Sequence, residues 1–275
     1  MTSPLVRRLA GLAPPPVRRA ASGAFLDLKS LPARIADPAR WAEPWAFVHN
    51  VGDGDYRAVG EQMVGALQAH AGLAAADSVL DIGCGAGRVA APLAPLLAAG
   101  GGRYLGFDIS RAAVRSCRRR FRGQPHMRFE HLDVWNGDYN ASGRVPELRA
   151  VFPLEDDAAD LAIALSVFTH MRLAAVRRYL QESARTLRPG GRLAFTAFAL
   201  QPGRESSPEF AFVPFETASA VVDPRSPERA IAHRRDALEA AITDAGLQPV
   251  TFLRGRWAAP ADYGDGQDFF LARKS

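Results

Sequence analysis

The stretch Val79-Leu80-Asp81-Ile82-Gly83-Cys84-Gly85-Ala86-Gly87-Arg88 constrains this chain more than any other. A short apolar run that ends in alternating glycines before a helix-forming segment reads as a buried strand, a tight turn and a helix start. Glycine lets the backbone turn through positive φ and lets a ligand approach without meeting a Cβ. Dinucleotide enzymes usually show G-x-G-x-x-G, with the pyrophosphate on the helix N-terminus. Here the spacing is G-x-G-x-G behind an acid, Asp81. A carboxylate at the strand end suits a cationic amino group and repels a pyrophosphate. The loop therefore favours a ligand with an amino-acid moiety, and Asp81, Gly83, Cys84, Gly85, Gly87 and Arg88 are its candidate contacts.

Strand and helix signals alternate from about residue 62 onward, which predicts an α/β fold built on a mostly parallel sheet with helices on both faces. Strands are expected at 78–83, 103–109, 127–134, 160–168, 191–199, 247–254 and 267–273. Helices are expected at 61–71, 88–99, 111–122, 173–187 and 234–245, the last two stopping at Arg188-Pro189-Gly190-Gly191 and at Gly246. Two stretches break the rhythm, 135–157 and 201–228. Both follow the carboxyl ends of strands, the rim where open α/β sheets bind ligands, so they are expected to be substrate-side insertions. Ahead of the domain at 61–275, residues 1–24 read as a flexible Pro/Arg-rich leader and 25–60 as an arm or lid.

The strand after the glycine loop ends in Asp108, about 20 residues on, where an acid accepts from ribose hydroxyls. The following strand ends in Asp133, placed to accept from an adenine amino group while the backbone N–H of Val134 addresses the ring. An Asp after a strand is often only a turn or cap residue. Three acids in order behind one glycine loop are a stronger signal.

At these residues the sequence resembles the class I S-adenosylmethionine-dependent methyltransferases, of the bacterial small-molecule type. The resemblance runs from about Tyr56 to Arg273. It rests on Asp81–Arg88, Asp108, Asp133, the segment Ala164-Leu165-Ser166-Val167-Phe168-Thr169-His170-Met171, and Leu187-Arg188-Pro189-Gly190-Gly191. It implies a Rossmann-like seven-stranded sheet with one antiparallel strand, and S-adenosyl-L-methionine as cofactor across the strand tips. It also implies that the backbone at Leu165 and Ser166 faces the methionine part, and it adds Ile109 and the lead-in residue Tyr56 to the cofactor set.

Methyl transfer is an in-line displacement that needs alignment, dehydration and, for a hydroxyl acceptor, proton removal. His170, at the rim after a strand, is the candidate general base, since an unperturbed imidazole titrates near neutrality. Capping or packing is the competing reading for a His between strand and helix. Ser166-Val167-Phe168-Thr169 stands where amino-methylating relatives carry Asn/Asp-Pro-Pro-aromatic, which favours O-methylation of a sugar, natural product or other small metabolite. Tyr139, Asn140, Phe168 and Phe212 are candidate substrate contacts, against the alternative that they build and anchor the insertions.

Cys84 and Cys117 are the only cysteines and no Cys/His cluster has zinc spacing, so no metal is expected. The formal charge of +5 is carried almost wholly by arginine. The basic run Arg115–Arg122 reads as a solvated helix face, with an RNA-binding protein or RNA methyltransferase as the alternative. A non-catalytic module that keeps the cofactor pocket is the third reading. No apolar run is long enough to span a bilayer and no secretory signal is evident, so the expectation is a cytoplasmic monomer or homodimer acting without membrane or nucleic acid.

Overall fold

The computed structural model describes residues 15–45, 55–264 and 266–275. In chain order its elements are α1 (Pro15–Ala36), α2 (Tyr56–Ala71), β1 (Ser78–Ile82), α3 (Ala90–Gly100), β2 (Arg103–Asp108), α4 (Arg111–Arg120), β3 (Met127–His131), β4 (Ala159–Ala164), α5 (Leu173–Thr186), β5 (Leu187–Leu200), β6 (Val213–Glu216), β7 (Ser219–Val221), β8 (Ile231–Arg234), α6 (Arg235–Asp244), β9 (Leu247–Leu253) and β10 (Asp268–Lys274). Strands β3, β2, β1, β4 and β5 lie side by side in that order, all parallel. Antiparallel β10 continues from β5 and β9 pairs with β10. These seven strands form a Rossmann-like sheet with one antiparallel strand, as the sequence implies.

The alternation along the strands decides how the sheet is covered. Leu80 and Ile82 of β1, with Ala162 and Ala164 of β4, join Val176 and Leu180 of α5 and Leu238 and Ile242 of α6 in one core. Val79 of β1 and Leu161 and Ile163 of β4 face the other way, onto Leu67 of α2, Leu93 and Leu97 of α3 and Val114 of α4. Period-2 side chains of a central strand thus feed two apolar layers, and each fully buried Leu or Ile contributes about 1.5–3 kcal/mol. Helix ends follow local chemistry: Asp55 accepts from the N–H groups of Arg57 and Ala58 at the start of α2, and Gly72 closes that helix in the left-handed conformation.

Two parts differ from the sequence expectation. Residues 15–36 are helical, so the leader and the arm do not divide at residue 24; Pro15 and Pro16 sit in the first turn, where proline's fixed φ suits a helix. The second insertion contains strands. It holds β6 and β7, which pair antiparallel, and β7 pairs with β8, which joins the last three residues of β5 in parallel. Residues 1–14 of the expected leader and 46–54 of the expected arm lie outside the described residues.

Candidate active site

The turn after β1 places three glycines in the left-handed region: Gly83 at φ 71°, Gly85 at 52° and Gly87 at 82°. They do different jobs. A Cβ at Gly83 would lie 2.6 Å from Val167 Cγ2, and one at Gly87 would press on Phe121 and Cys117 at 3.0–3.1 Å, so both glycines allow close packing. A Cβ at Gly85 would meet nothing within 4 Å. That position is the open cradle of the loop, and its N–H donates to Asp108 Oδ2 at 2.8 Å. Asp108 also accepts from the Ser110 N–H at 2.6 Å, and burial pushes its carboxyl above the usual range against these two bonds.

Asp81 departs from the expectation that it displays its charge at the loop. Its side chain is 3% exposed and accepts from the Tyr104 hydroxyl at 2.6 Å. Burial pushes its carboxyl up to about 7, with the Asp108 charge adding to the rise. Tyr56 likewise stands behind the loop. Its hydroxyl donates to the Ala86 carbonyl at 2.9 Å and accepts from Arg120 at 3.0 Å, so it buttresses the turn. Gly60 presses against the Arg88 carbonyl, seating α2 on the end of the loop. Cys84 and Cys117 are buried, with both sulfurs directed at the Gly85 carbonyl, 3.7 and 3.4 Å away.

Beyond β3, Asp133 forms an ion pair with Arg144 at 2.7 Å and accepts a long bond from Asn140 at 3.4 Å, which hold its carboxyl below the usual range. The Val134 N–H donates to the Leu132 carbonyl at 2.8 Å within the turn after β3. A cavity of about 410 Å³ opens here, lined by Ile109, Ser110, His131, Asp133, Tyr139 and Arg144 among others. Asn140 also lines it while donating to the Val134 carbonyl at 2.9 Å, so it builds the turn as well.

Ser166, at the tip of β4, is a non-glycine residue at φ 59°. Strain of this kind costs about 1–3 kcal/mol and gathers at functional sites. Its N–H donates to Thr196 Oγ1 at 2.8 Å and its hydroxyl to Gln267 Oε1 at 3.2 Å, while Thr196 donates to the same Gln267 oxygen at 2.6 Å. Leu165 is half-buried beside it. Thr196 and Gln267 escaped the sequence reading because nothing local links them to residue 166.

His170 closes the 3-10 turn that follows. Its Nδ1 lies 2.9 Å from the Glu228 carbonyl, and a carbonyl only accepts, so Nδ1 carries a hydrogen and, in the neutral ring, the lone pair is on Nε2. Nε2 lies 3.4 Å from the Tyr139 hydroxyl, with the two rings edge to face at 5.0 Å. The first insertion supplies Tyr139 and the second supplies Glu228, and Ser226 donates across to Asp138 at 3.1 Å. The two insertions therefore meet at His170, and Tyr139 connects it to the cavity at Asp133. The remaining candidates lie elsewhere. Phe168 is wholly buried on Phe195, at 4.9 Å between centroids, which corrects its assignment as a substrate contact. Phe212 packs on Phe198, Phe210 and Trp257, so it anchors the second insertion. On the basic helix, Arg118 donates to the Phe129 carbonyl and Glu130, and Arg120 caps Tyr56, so the face is partly committed to the fold.

A family model described as a methyltransferase domain matches residues 80–193, the segment that carries the cradle, Asp108, Asp133 and His170. Residues 80–193 are thus similar to a methyltransferase domain. The chain is 29% identical over 128 residues to a demethylmenaquinone methyltransferase of Clavibacter sepedonicus, covering 46% of this chain and 44% of that one. It is 31% identical over 138 residues to the methyltransferase GfsG of Streptomyces halstedii, covering 49% and 42%. The matches thus span less than half the length of either relative. Among solved structures, the geranyl diphosphate C-methyltransferase of Streptomyces coelicolor A3(2), in complex with Mg2+, geranyl diphosphate and S-adenosyl-L-homocysteine, superposes with a TM-score of 0.53 at 18% identity, covering 78% of this chain and 80% of that one. That likeness is one of fold. Among the described residues no three His, Cys, Asp or Glu side chains gather as a metal site, and no helix is long and apolar enough to cross a membrane.

Proposed function

We propose that the chain is an S-adenosylmethionine-dependent methyltransferase that methylates a hydroxyl of a small acceptor, with His170 as general base. The observation that carries the cofactor reading is the left-handed, unobstructed cradle at Gly85 bonded to Asp108, and the residues around it fit the group. Gly85 and its neighbours would hold the methionine part, Asp108 the ribose, and Asp133 the adenine edge of the cavity. S-adenosylmethionine would supply an electrophilic methyl on a sulfonium.

The chain's own residues would supply the rest. The Glu228 carbonyl fixes the tautomer in which Nε2 of His170 accepts a proton from the acceptor hydroxyl. It then shares the charge of the imidazolium through the Nδ1–H bond, and a positioned base of this kind contributes about 10²–10⁴-fold. Tyr139 and the Asp138–Ser226 contact hold the two insertions around that hydroxyl.

The experiment is a turnover assay with labelled methyl donor over a panel of glycosides and phenols, paired with calorimetry of S-adenosylhomocysteine. Asp108→Ala should weaken the nucleoside by about 1.5–3 kcal/mol, the worth of a charge-assisted bond. His170→Ala should lose turnover while keeping that affinity. Wild-type affinity in Asp108→Ala would remove the cofactor assignment, and undiminished turnover in His170→Ala would remove the base.

A further inference from the structure

Helix α1 is folded with its apolar side outward. Phe25, Leu28 and Ile35 are exposed by 55, 65 and 73%, and their spacing of three and seven residues, with Pro32 between, sets them along one face. Trp41, in the 3-10 turn that follows, is 53% exposed. The opposite face is spent internally. Arg34 is 4% exposed, its guanidinium donates to the carbonyls of Arg40, Glu43 and Pro44, and it lies 4.2 Å from the ring of Trp45. A helix that sequesters Arg34 and presents Phe, Leu and Ile to the outside is the inverse of a helix packed on a globular core.

The charge of this part of the chain says what such a face fits. Residues 1–45 hold seven basic and three acidic side chains, so four of the five formal positive charges lie in the first sixth of the sequence, and the remaining 230 residues are nearly balanced. Lys29 lies beside the stripe, its ammonium 4.8 Å from the Phe25 ring. Lys29 thus sets a cation at the edge of this apolar face, the pattern of a helix lying in the headgroup plane of a membrane, where aromatic and aliphatic side chains enter the acyl boundary and Lys or Arg meets anionic headgroups. A protein partner would need a groove of matching shape; a lipid surface needs only these two properties.

We infer that α1 is an interfacial anchor that lays its Phe25–Leu28–Ile35 face on an anionic lipid bilayer. The helix lies on the membrane and does not cross it, in keeping with the lack of any spanning helix among the described residues. The inference is independent of the methyl-transfer reading, since it uses none of the residues around Gly85 or His170.

The test is co-sedimentation of the full chain with vesicles of phosphatidylcholine alone and with 30% phosphatidylglycerol, at low and high salt, alongside sedimentation velocity without lipid. The bound fraction should rise at least tenfold with the anionic lipid and fall with salt. Phe25→Gln/Leu28→Gln/Ile35→Gln should remove binding with an unchanged melting temperature, and Lys29→Gln with Arg18→Gln and Arg19→Gln should remove the preference for anionic lipid. Absence of binding to anionic vesicles, equal binding to both compositions, or self-association through the stripe in place of lipid binding would each overturn it.

Discussion

Arg204 Nη1 lies 3.1 Å from Asp268 Oδ1, with both side chains withdrawn from water. The same guanidinium donates to the Gly255 and Ala258 carbonyls, and the same carboxylate accepts from the N–H groups of Ala199 and Gly255 and from Trp257 Nε1. This network ties the start of the second insertion to β10. Breaking a buried pair strands the surviving charge, so Arg204→Ala should cost about 3–5 kcal/mol in urea denaturation. An apolar pair should not restore stability, because Arg204→Met/Asp268→Leu leaves three donors without their acceptor. Stability of that double variant equal to wild type would contradict the account.

The pH dependence of stability should hide two opposed terms. Asp81 titrates at about 7 in the fold, so the folded state keeps a proton that the unfolded chain releases; this term is full below pH 4 and is lost as pH rises through 7. His233, buried between Ser219 and the Met171 carbonyl, is lowered to about 4 by desolvation, so its term is full above pH 6.5 and is lost as pH falls towards 4. The two windows overlap and their slopes cancel. Asp81→Asn should expose the His233 slope, a loss of about 3 kcal/mol from pH 6.5 to 4, and His233→Gln should expose the reverse slope. Parallel stability curves for wild type and both variants would reject both assignments.

What the sequence made legible follows from the range of the interactions involved. The glycine loop, the acids at strand tips and the seven principal strands are set by local pattern, and the structure places them where the periodicity puts them. Strands β6 to β8 are only three or four residues long, one of them interrupted by Pro214, too short for an alternation to register. The partner that orients His170 is a main-chain carbonyl 58 residues away, which no side-chain pattern encodes. Phe168 misled for the opposite reason: an aromatic at a rim position reads as pocket lining until its stacking on Phe195 is seen.

The contact between Ser226 and Asp138 offers a test of which ligand the insertions serve. It links the insertions at a half-buried position, where a hydrogen bond is worth about 0.5–1.5 kcal/mol. Ser226→Ala should therefore raise the KM for the acceptor by about 2–10-fold. The affinity for S-adenosylhomocysteine should stay unchanged in calorimetry, since Asp108 and Gly85 are untouched. A weakened nucleoside with an unaltered acceptor KM would show that the insertions serve the cofactor side.

Gly83 and Gly85 should fail in different ways when given a methyl group. Both hold positive φ, which costs a residue with a side chain about 1–2 kcal/mol. At Gly83 the added Cβ also collides with Val167, 2.6 Å away, so Gly83→Ala should lose several degrees more in melting temperature than Gly85→Ala. At Gly85 the methyl enters open space, leaving a folded protein whose cradle is filled. Calorimetry should then find S-adenosylhomocysteine bound at least tenfold more weakly by Gly85→Ala, in a variant whose circular dichroism matches wild type. Undiminished affinity there would mean that the ligand does not lie against this turn, whatever the fate of Gly83→Ala.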